Sequence, residues 1–289
     1  MSADSTVQPL NWSGATILTM SSPEPPGLAV CTNKLYMAWK ANDASNRLYV
    51  AASSDGTTWG SEQVLDKLSP AGPALAAHGN TLFMAWQAND ASNAIYASSS
   101  ADGAFWSVSQ KLDWTTPKAP ALAHFNAQLL LAWTANDASC RLYSALSRGG
   151  SWSMAQGLTE MSPEGPSLAA DSSKVYMACT VGPPGNAIFV LSSPDGKTWN
   201  VAQRLADSSP KRPALALCKG TFYMAWTAND ASRSIYVASS SDGATWSAAQ
   251  KTLFSSSQAP SLIEFSNKLY MVWIGDDASN RLYIACVQP

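Results

Sequence analysis

The chain has 289 residues, of which only 13% are charged against about 25% in an average domain, and its formal net charge at pH 7 is −2. Lysine and arginine form no cluster along it, which argues against nucleic acid as a partner, and no apolar run reaches the length of a membrane span. The first residues lack the basic and apolar regions of a signal peptide, so we expect a cytoplasmic protein or one released without that signal.

From the N-terminus onward, one unit of about 47 residues recurs six times. Five copies have a first tryptophan, which Cys179 replaces in the fourth copy, and the first five copies have a second tryptophan near a later turn. The first tryptophans are Trp39, Trp86, Trp133, Trp226 and Trp273. The second ones are Trp59, Trp106, Trp152, Trp199 and Trp246. A period in this range predicts a solenoid or a propeller.

The copies are out of step with the ends of the chain. The sixth copy stops at Pro289 before its second tryptophan is due, and the missing piece resembles residues 12–18, where Trp12 matches Trp59. An open array of repeats is the alternative, but it gives no reason to divide one unit between the two termini. The offset therefore favours a closed ring in which the N-terminal strand completes the last blade.

Each unit is predicted to form four short strands separated by turn residues. In the second copy we expect strands at about 73–78, 81–88, 93–101 and 105–112. The predicted fold class is all-β: a single domain forming a six-bladed β-propeller, with four antiparallel strands in each blade. The predicted blades cover residues 22–68, 69–115, 116–161, 162–208, 209–255, and 256–289 together with 1–21.

The five cysteines occupy unrelated positions of the repeat, which predicts buried free thiols and no disulfide framework. No cluster of His, Cys and Asp has the spacing of metal ligands, so we expect neither a metal site nor a cofactor.

The turn after the third strand carries an Asp-Gly pair shortly before the second tryptophan, as in Asp55, Gly56 and Trp59. This resembles the Asp-box of sialidases and related six-bladed propellers, S-x-D-x-G-x-x-W, with one residue fewer between Asp and Gly. In that family the box lies far from the active site, so the resemblance implies the fold only. The repeat as a whole is also similar to propeller lectins, which present one sugar site per blade or blade interface.

The turn after the second strand is nearly identical in five of the six copies, and we interpret it as a candidate sugar site. An aromatic face can stack on a pyranose ring, while carboxylate, amide and guanidinium groups can bind its hydroxyls. The candidate residues are Trp39, Asn42, Asp43, Arg47, Trp86, Asn89, Asp90, Trp133, Asn136, Asp137, Arg141, Trp226, Asn229, Asp230, Arg233, Trp273, Asp276, Asp277 and Arg281. The fourth copy, with residues 179–185 at this place, is predicted to have no site.

Structural roles remain open for the same residues, since the tryptophans could belong to the core and the Asn-Asp pairs could simply form turns. Three functions compete. A sialidase-like hydrolase would need unlike groups on one bond, and we assign no catalytic residue. A protein-interaction scaffold would show different surfaces on different blades. Equivalent loops instead favour a lectin that binds glycans or polysaccharide at several sites together.

Overall fold

The computed structural model describes residues 9–182 and 185–289, which form 25 β-strands in six sheets. Within these residues no helix is long and apolar enough to cross a membrane. The predicted six-bladed β-propeller is confirmed: every sheet is antiparallel with four main strands, which follow chain order in five blades, while β1 completes the sixth. The bounds of the strands follow, blade by blade.

The first three blades are built from strands β2 to β14. Blade 1 contains β2 (Gly27–Cys31), β3 (Lys34–Lys40), β4 (Arg47–Ser53) and β5 (Gln63–Leu68). Blade 2 contains β6 (Ala74–His78), β7 (Thr81–Gln87), β8 (Ala94–Ser100) and β9 (Gln110–Thr115). Blade 3 contains β10 (Ala121–Phe125), β11 (Gln128–Thr134), β12 (Arg141–Arg148), the short β13 (Ser151–Trp152) and β14 (Gln156–Met161).

The last three blades use the remaining strands and β1. Blade 4 contains β15 (Ser167–Ala170), β16 (Val175–Val181), β17 (Ala187–Ser193) and β18 (Asn200–Ser208). Blade 5 contains β19 (Ala214–Cys218), β20 (Thr221–Thr227), β21 (Ser234–Ser240) and β22 (Gln250–Ser255). Blade 6 contains β23 (Ser261–Phe265), β24 (Lys268–Ile274), β25 (Arg281–Val287) and, as its outer strand, β1 (Thr16–Ser21).

The ring closes as the sequence offset predicts. Strand β1 pairs with β25, with Thr16 opposite Ile284. The Ser13 N–H donates to the Cys286 carbonyl at 2.8 Å, and the Cys286 N–H donates to Ser13 Oγ at 3.0 Å. The first and last parts of the chain are therefore held together in one blade; residues 1–8, which we assigned to that blade, lie outside the described residues.

The outer strand of blade 2 begins later than the predicted 105–112, at Gln110. The reason is the preceding turn, where Asp102 Oδ1 accepts hydrogen bonds from the N–H groups of Ala104 at 2.8 Å and Phe105 at 2.9 Å. The indole of Trp106 then donates to the Gly103 carbonyl at 3.1 Å. These local bonds hold the segment in a turn and delay the pairing with β8.

The hydrophobic core lies between neighbouring blades, because the two faces of each sheet pack on different neighbours. In blade 1, Tyr36 and Val50 pack towards blade 2. Met37 and Trp39 belong instead to the cluster shared with blade 6. The first strands surround the axis, where one leucine from each blade lines a central channel: Leu28, Leu75, Leu122, Leu168, Leu215 and Leu262.

The turns after the third strands, here called the third turns, contact the preceding blade. Gly103 has φ of +78°, and a Cβ at this position would lie 2.4 Å from the ring of Tyr36. The hydroxyl of Tyr36 donates to the Asp102 carbonyl at 3.2 Å. Tyr176 makes the same bond to Asp242 at 2.7 Å, and Tyr270 makes it to Asp55 at 3.2 Å. These Asp-box-like turns thus join blade to blade.

All five cysteines are free, but the prediction that they are buried holds for only three of them. Cys31, Cys179 and Cys218 are buried, whereas Cys140 and Cys286 are partly exposed. Cys140 is partly exposed because it lies in a surface turn with φ of +49°. Burial raises the pKa of the Cys179 thiol to about 12, which keeps it protonated at neutral pH.

Candidate functional site

The turns between the second and third strands, here called the second turns, share one hydrogen-bonding pattern. Asp43 Oδ1 accepts from the Ser45 N–H at 2.7 Å, and Ser45 Oγ accepts from the Arg47 N–H at 3.2 Å. The Asp side chains of the other four predicted sites accept in the same way from Ser92, Ser139, Ser232 and Ser279. Each aspartate therefore forms an Asx turn with one of its oxygens.

Hydrogen bonds also favour the charged form of these carboxyl groups. The hydroxyl of Ser92, and then its backbone N–H, lower the pKa of Asp90 below its usual range. The equivalent serines lower the pKa of Asp43, Asp137, Asp230 and Asp277. All five carboxylates are exposed and ionised at neutral pH, and their Oδ2 atoms accept no hydrogen bond within the described residues.

Neighbouring second turns are linked by side chains that the sequence analysis only half identified. Asn46 Nδ2 donates to Asn89 Oδ1 at 3.0 Å, and Asn280 Nδ2 donates to Asn42 Oδ1 at 2.9 Å. Arg233 and Asp276 form the corresponding contact between blades 5 and 6, at 2.8 Å. The first Asn or Asp of each of these turns thus bridges blades. Asn46 and Asn280 were missed; their recurrence at a left-handed turn position, with φ of 55° and 52°, was the available signal.

The predicted tryptophans are buried, with only 1–3% of each side chain exposed. One face of Trp133 stacks on Tyr143 at 5.7 Å between ring centroids, and Trp114 from blade 2 stacks on it at 4.6 Å. Trp273 lies in the same way between Tyr283 and Phe254. Because both faces of these two rings are covered, neither is open to stack on a ligand, and the role of the tryptophans here is in the core.

The partly exposed aromatic residue at this surface is a tyrosine that the sequence analysis did not select. Tyr49 lies directly opposite Trp39 on the next strand, and the two rings stack at 5.7 Å. Equivalent pairs occur in the other four copies that have the first tryptophan. The constant spacing of ten residues from tryptophan to tyrosine was the signal for it. The partly exposed tyrosines are Tyr49, Tyr96, Tyr143, Tyr236 and Tyr283.

The remaining predicted residues lie on the surface of the same face. Asn42, Asn136 and Asn229, like the aspartates beside them, are exposed. Arg47, Arg141 and Arg281 each begin the third strand of their blade and are exposed. Sugar binding by this set stays a prediction; the structure brings the polar members together at each turn and separates them from the buried tryptophans.

Blade 4 departs from the other five, as its sequence does. Cys179 replaces the tryptophan, is fully buried and lies opposite Phe189. No Asn-Asp pair follows in the sequence, and Pro183 and Pro184 of the predicted dead site lie outside the described residues.

The mouth of the central channel opens on the face of the second turns, with a cavity of about 100 Å³. Its lining includes one arginine, Arg212, among prolines and small residues contributed by all six blades. Burial lowers the pKa of Arg212 and raises that of Glu24 nearby, and Lys118 pairs with Glu164 at 3.2 Å. Arg47, Arg141 and Arg281 are on third strands, whereas first strands surround this mouth.

Comparisons with known proteins find structural neighbours among the sialidases. No protein family matches the chain, and no curated protein is similar to it in sequence. Trypanosoma rangeli sialidase in complex with the inhibitor DANA superposes with a TM-score of 0.67 at 14% identity over 93% of this chain. This chain covers only 55% of that sialidase.

Two further solved structures share the architecture. The phage phi92 endosialidase gives a TM-score of 0.68 at 12% identity, covering 96% of this chain and 69% of its own. A Dyadobacter fermentans protein of unknown function gives a TM-score of 0.71 at 12% identity, covering 96% of this chain and 98% of its own. At such identities the likeness establishes the fold alone: a six-bladed β-propeller with structural neighbours among the sialidases.

Proposed function

We propose that this protein is a multivalent carbohydrate-binding protein whose sugar sites repeat around one face of the propeller. The observation that carries the proposal is the equivalence of five second turns, each of which presents an exposed aspartate with an oxygen free of hydrogen bonds within the described residues. Exposed Asn and Arg side chains in these turns supply donors for sugar hydroxyls. The sialidase-like fold supports a carbohydrate ligand.

Equivalence favours binding over hydrolysis. A hydrolase brings unlike groups to one bond: two carboxyl groups in different roles in most glycosidases, and a tyrosine nucleophile in sialidases. Here the carboxylates are alike, and the ring distributes them over five blades. Weak sites arranged in this way gain on the order of 10²–10⁴ in avidity when several engage one glycan or polysaccharide. In the proposed site, Asp43 binds a hydroxyl pair, Asn42 and Arg47 flank it, and Tyr49 provides the aromatic surface that we had expected from Trp39.

A glycan array followed by calorimetry tests this proposal. We expect binding to a repeated glycan with more than one site per chain. Asp43→Asn keeps the acceptor that the turn requires but removes the charge, so it should abolish one site without unfolding the protein. Asp195→Asn, the same substitution in a third turn of the opposite face, is the control and should leave sugar binding unchanged. An array without any binding would contradict the proposal, and turnover of a fluorogenic sialoside would replace it with a hydrolase.

A further inference from the structure

A cavity of about 530 Å³ lies between blades 1 and 2, on the face opposite the second turns. Its wall is the face of blade 1 that looks towards blade 2, where Tyr36 and Ala52 are directly paired across β3 and β4. Gln63 is paired with Val50 on the same side of the sheet, and Gly103 of the next third turn closes one end. The cavity is therefore a feature of the interface between two blades.

In blade 3 a different pair of side chains occupies this space. In blade 3 the equivalent cross-strand pair is Leu130 and Leu146, and both side chains are buried in a cluster that extends to blade 4. A Cβ on Gly196, in the third turn of blade 4, would lie 3.1 Å from Leu146. Leucine thus fills in blade 3 the space that Ala52 leaves open in blade 1.

The same space recurs at two other interfaces, so it is not an isolated packing defect. Phe83 and Ser99 form the equivalent pair beside a cavity of about 130 Å³ between blades 2 and 3. Tyr223 and Ser239 form it beside a cavity of about 330 Å³ between blades 5 and 6. Ligand pockets usually measure about 300–1,000 Å³, which includes the first and third of these cavities.

In the cavity between blades 1 and 2, a side-chain amide is free to bind a ligand. Equivalent glutamines bond to the next blade: Gln203 Oε1 accepts from the Trp246 N–H at 3.1 Å, and Gln250 Oε1 accepts from the Leu10 N–H at 3.1 Å. Gln63 is half-buried and makes no side-chain hydrogen bond within the described residues. Its carbonyl and amino groups can together bind an acceptor and a donor, such as two neighbouring hydroxyls.

The other lining groups point to a neutral ligand. Lys34 and Asp55 contribute one charge of each sign, and Ser53, Ser54 and Thr58 contribute hydroxyl groups. Tyr36 and Ala52 give the wall an apolar part. A ligand with several hydroxyls and one apolar face matches this combination.

We propose that the cavity between blades 1 and 2 binds a neutral hexopyranose ring, with Gln63 bonded to adjacent hydroxyls and Ala52 providing the room. This inference rests on the proposed carbohydrate-binding function and adds a pocket on the opposite face to the shallow sites of the second turns. The protein then contacts sugar from both ends of the propeller.

Side-chain amide signals in a ¹⁵N–¹H spectrum test the pocket directly. The probes are the methyl glycosides of glucose, galactose and mannose, each at millimolar concentration. We expect at least one of them to shift the amide signal of Gln63 but not that of Gln156, which holds the same template position in blade 3 and is exposed. If no glycoside moves the Gln63 signal, the pocket proposal is wrong.

Three variants separate this pocket from the second-turn sites. Ala52→Leu copies the residue found in blade 3, so it should fold and abolish the Gln63 response. Gln63→Ala should weaken binding about tenfold, the value of one good hydrogen bond, and Gln156→Ala should have no effect.

If Asp43→Asn removes a site while Ala52→Leu and Gln63→Ala change nothing, the proposed function stands and the pocket inference fails. If the unmodified protein binds sugar at neither kind of site, both the proposed function and the pocket inference are wrong.

Discussion

The second and third turns use aspartate differently, although both are repeated around the ring. In a second turn, Asp43 Oδ1 accepts from one backbone N–H. In a third turn, Asp55 Oδ1 accepts from two, those of Thr57 at 2.7 Å and Thr58 at 2.6 Å, and the hydroxyl of Ser53 reaches it as well. The third turn is also packed under Tyr270 of the preceding blade.

This difference shows that repetition within a chain has more than one cause. The third turns recur because they join the blades, where a tyrosine of the preceding blade packs on the turn and donates to its backbone. In the second turns, by contrast, each aspartate is exposed and accepts from a single backbone N–H within the described residues. Function is therefore better sought in the repeats that contribute less to joining the blades.

The largest loss of stability is expected from a substitution in a third turn. Gly56 has φ of +79°, and a Cβ there would lie 2.4 Å from the Tyr270 hydroxyl. Gly56→Ala should destabilise the protein by about 3 kcal/mol, combining overpacking with a left-handed alanine. The matched control is Gly79→Ala in a first turn, which has positive φ but nothing within 4 Å and should lose only about 1 kcal/mol. Urea unfolding measures both; equal losses would show that the blade contact contributes nothing.

A loss of stability of intermediate size is expected at acidic pH. Backbone hydrogen bonds from Thr245 and Ala244 lower the pKa of Asp242 from 3.8 to about 2. Because the folded-state pKa is depressed, its contribution to stability is present above about pH 4 and is lost as the pH falls through about 2. In the Asp242→Asn variant, the midpoint of thermal unfolding should depend less on pH over this interval. A profile unchanged by the substitution would contradict this role of the third turn.

The smallest effect should come from the ion pair between second turns. Arg233 and Asp276 are 2.8 Å apart, with the arginine side chain 54% exposed. Arg233→Ala should lower stability by at most about 0.5 kcal/mol, and the difference should disappear at high salt. A larger, salt-independent loss would mean that the second turns stabilise the ring as the third turns do, and the contrast between the two regions would not hold.

Most of the fold could be predicted because the same pattern of strand and turn residues recurs six times in the sequence. The match of Trp12 with Trp59 is a local comparison, and it locates the strand that closes the ring. The start of β9 could not be predicted in the same way, because it depends on hydrogen bonds from Asp102 that compete with strand pairing.

The candidate site was predicted only in its polar part. Asn and Asp in a turn are exposed wherever the turn is exposed. The burial of Trp133 depends instead on Trp114, which reaches it from another blade. Likewise, the pocket beside Ala52 depends on Tyr36 across the strand pair and on Gly103 in the next blade, and no local pattern contains all three.

The pairing of β1 with β25 has a consequence for biosynthesis. The outer strand of blade 6 is made before every other described strand, whereas its neighbour β25 is made after them. At roughly 5–20 residues per second, the early strand waits some tens of seconds without its partner. Blades 1 to 5 contain all their strands in continuous order and can form during translation, so the ring closes only when β25 captures β1.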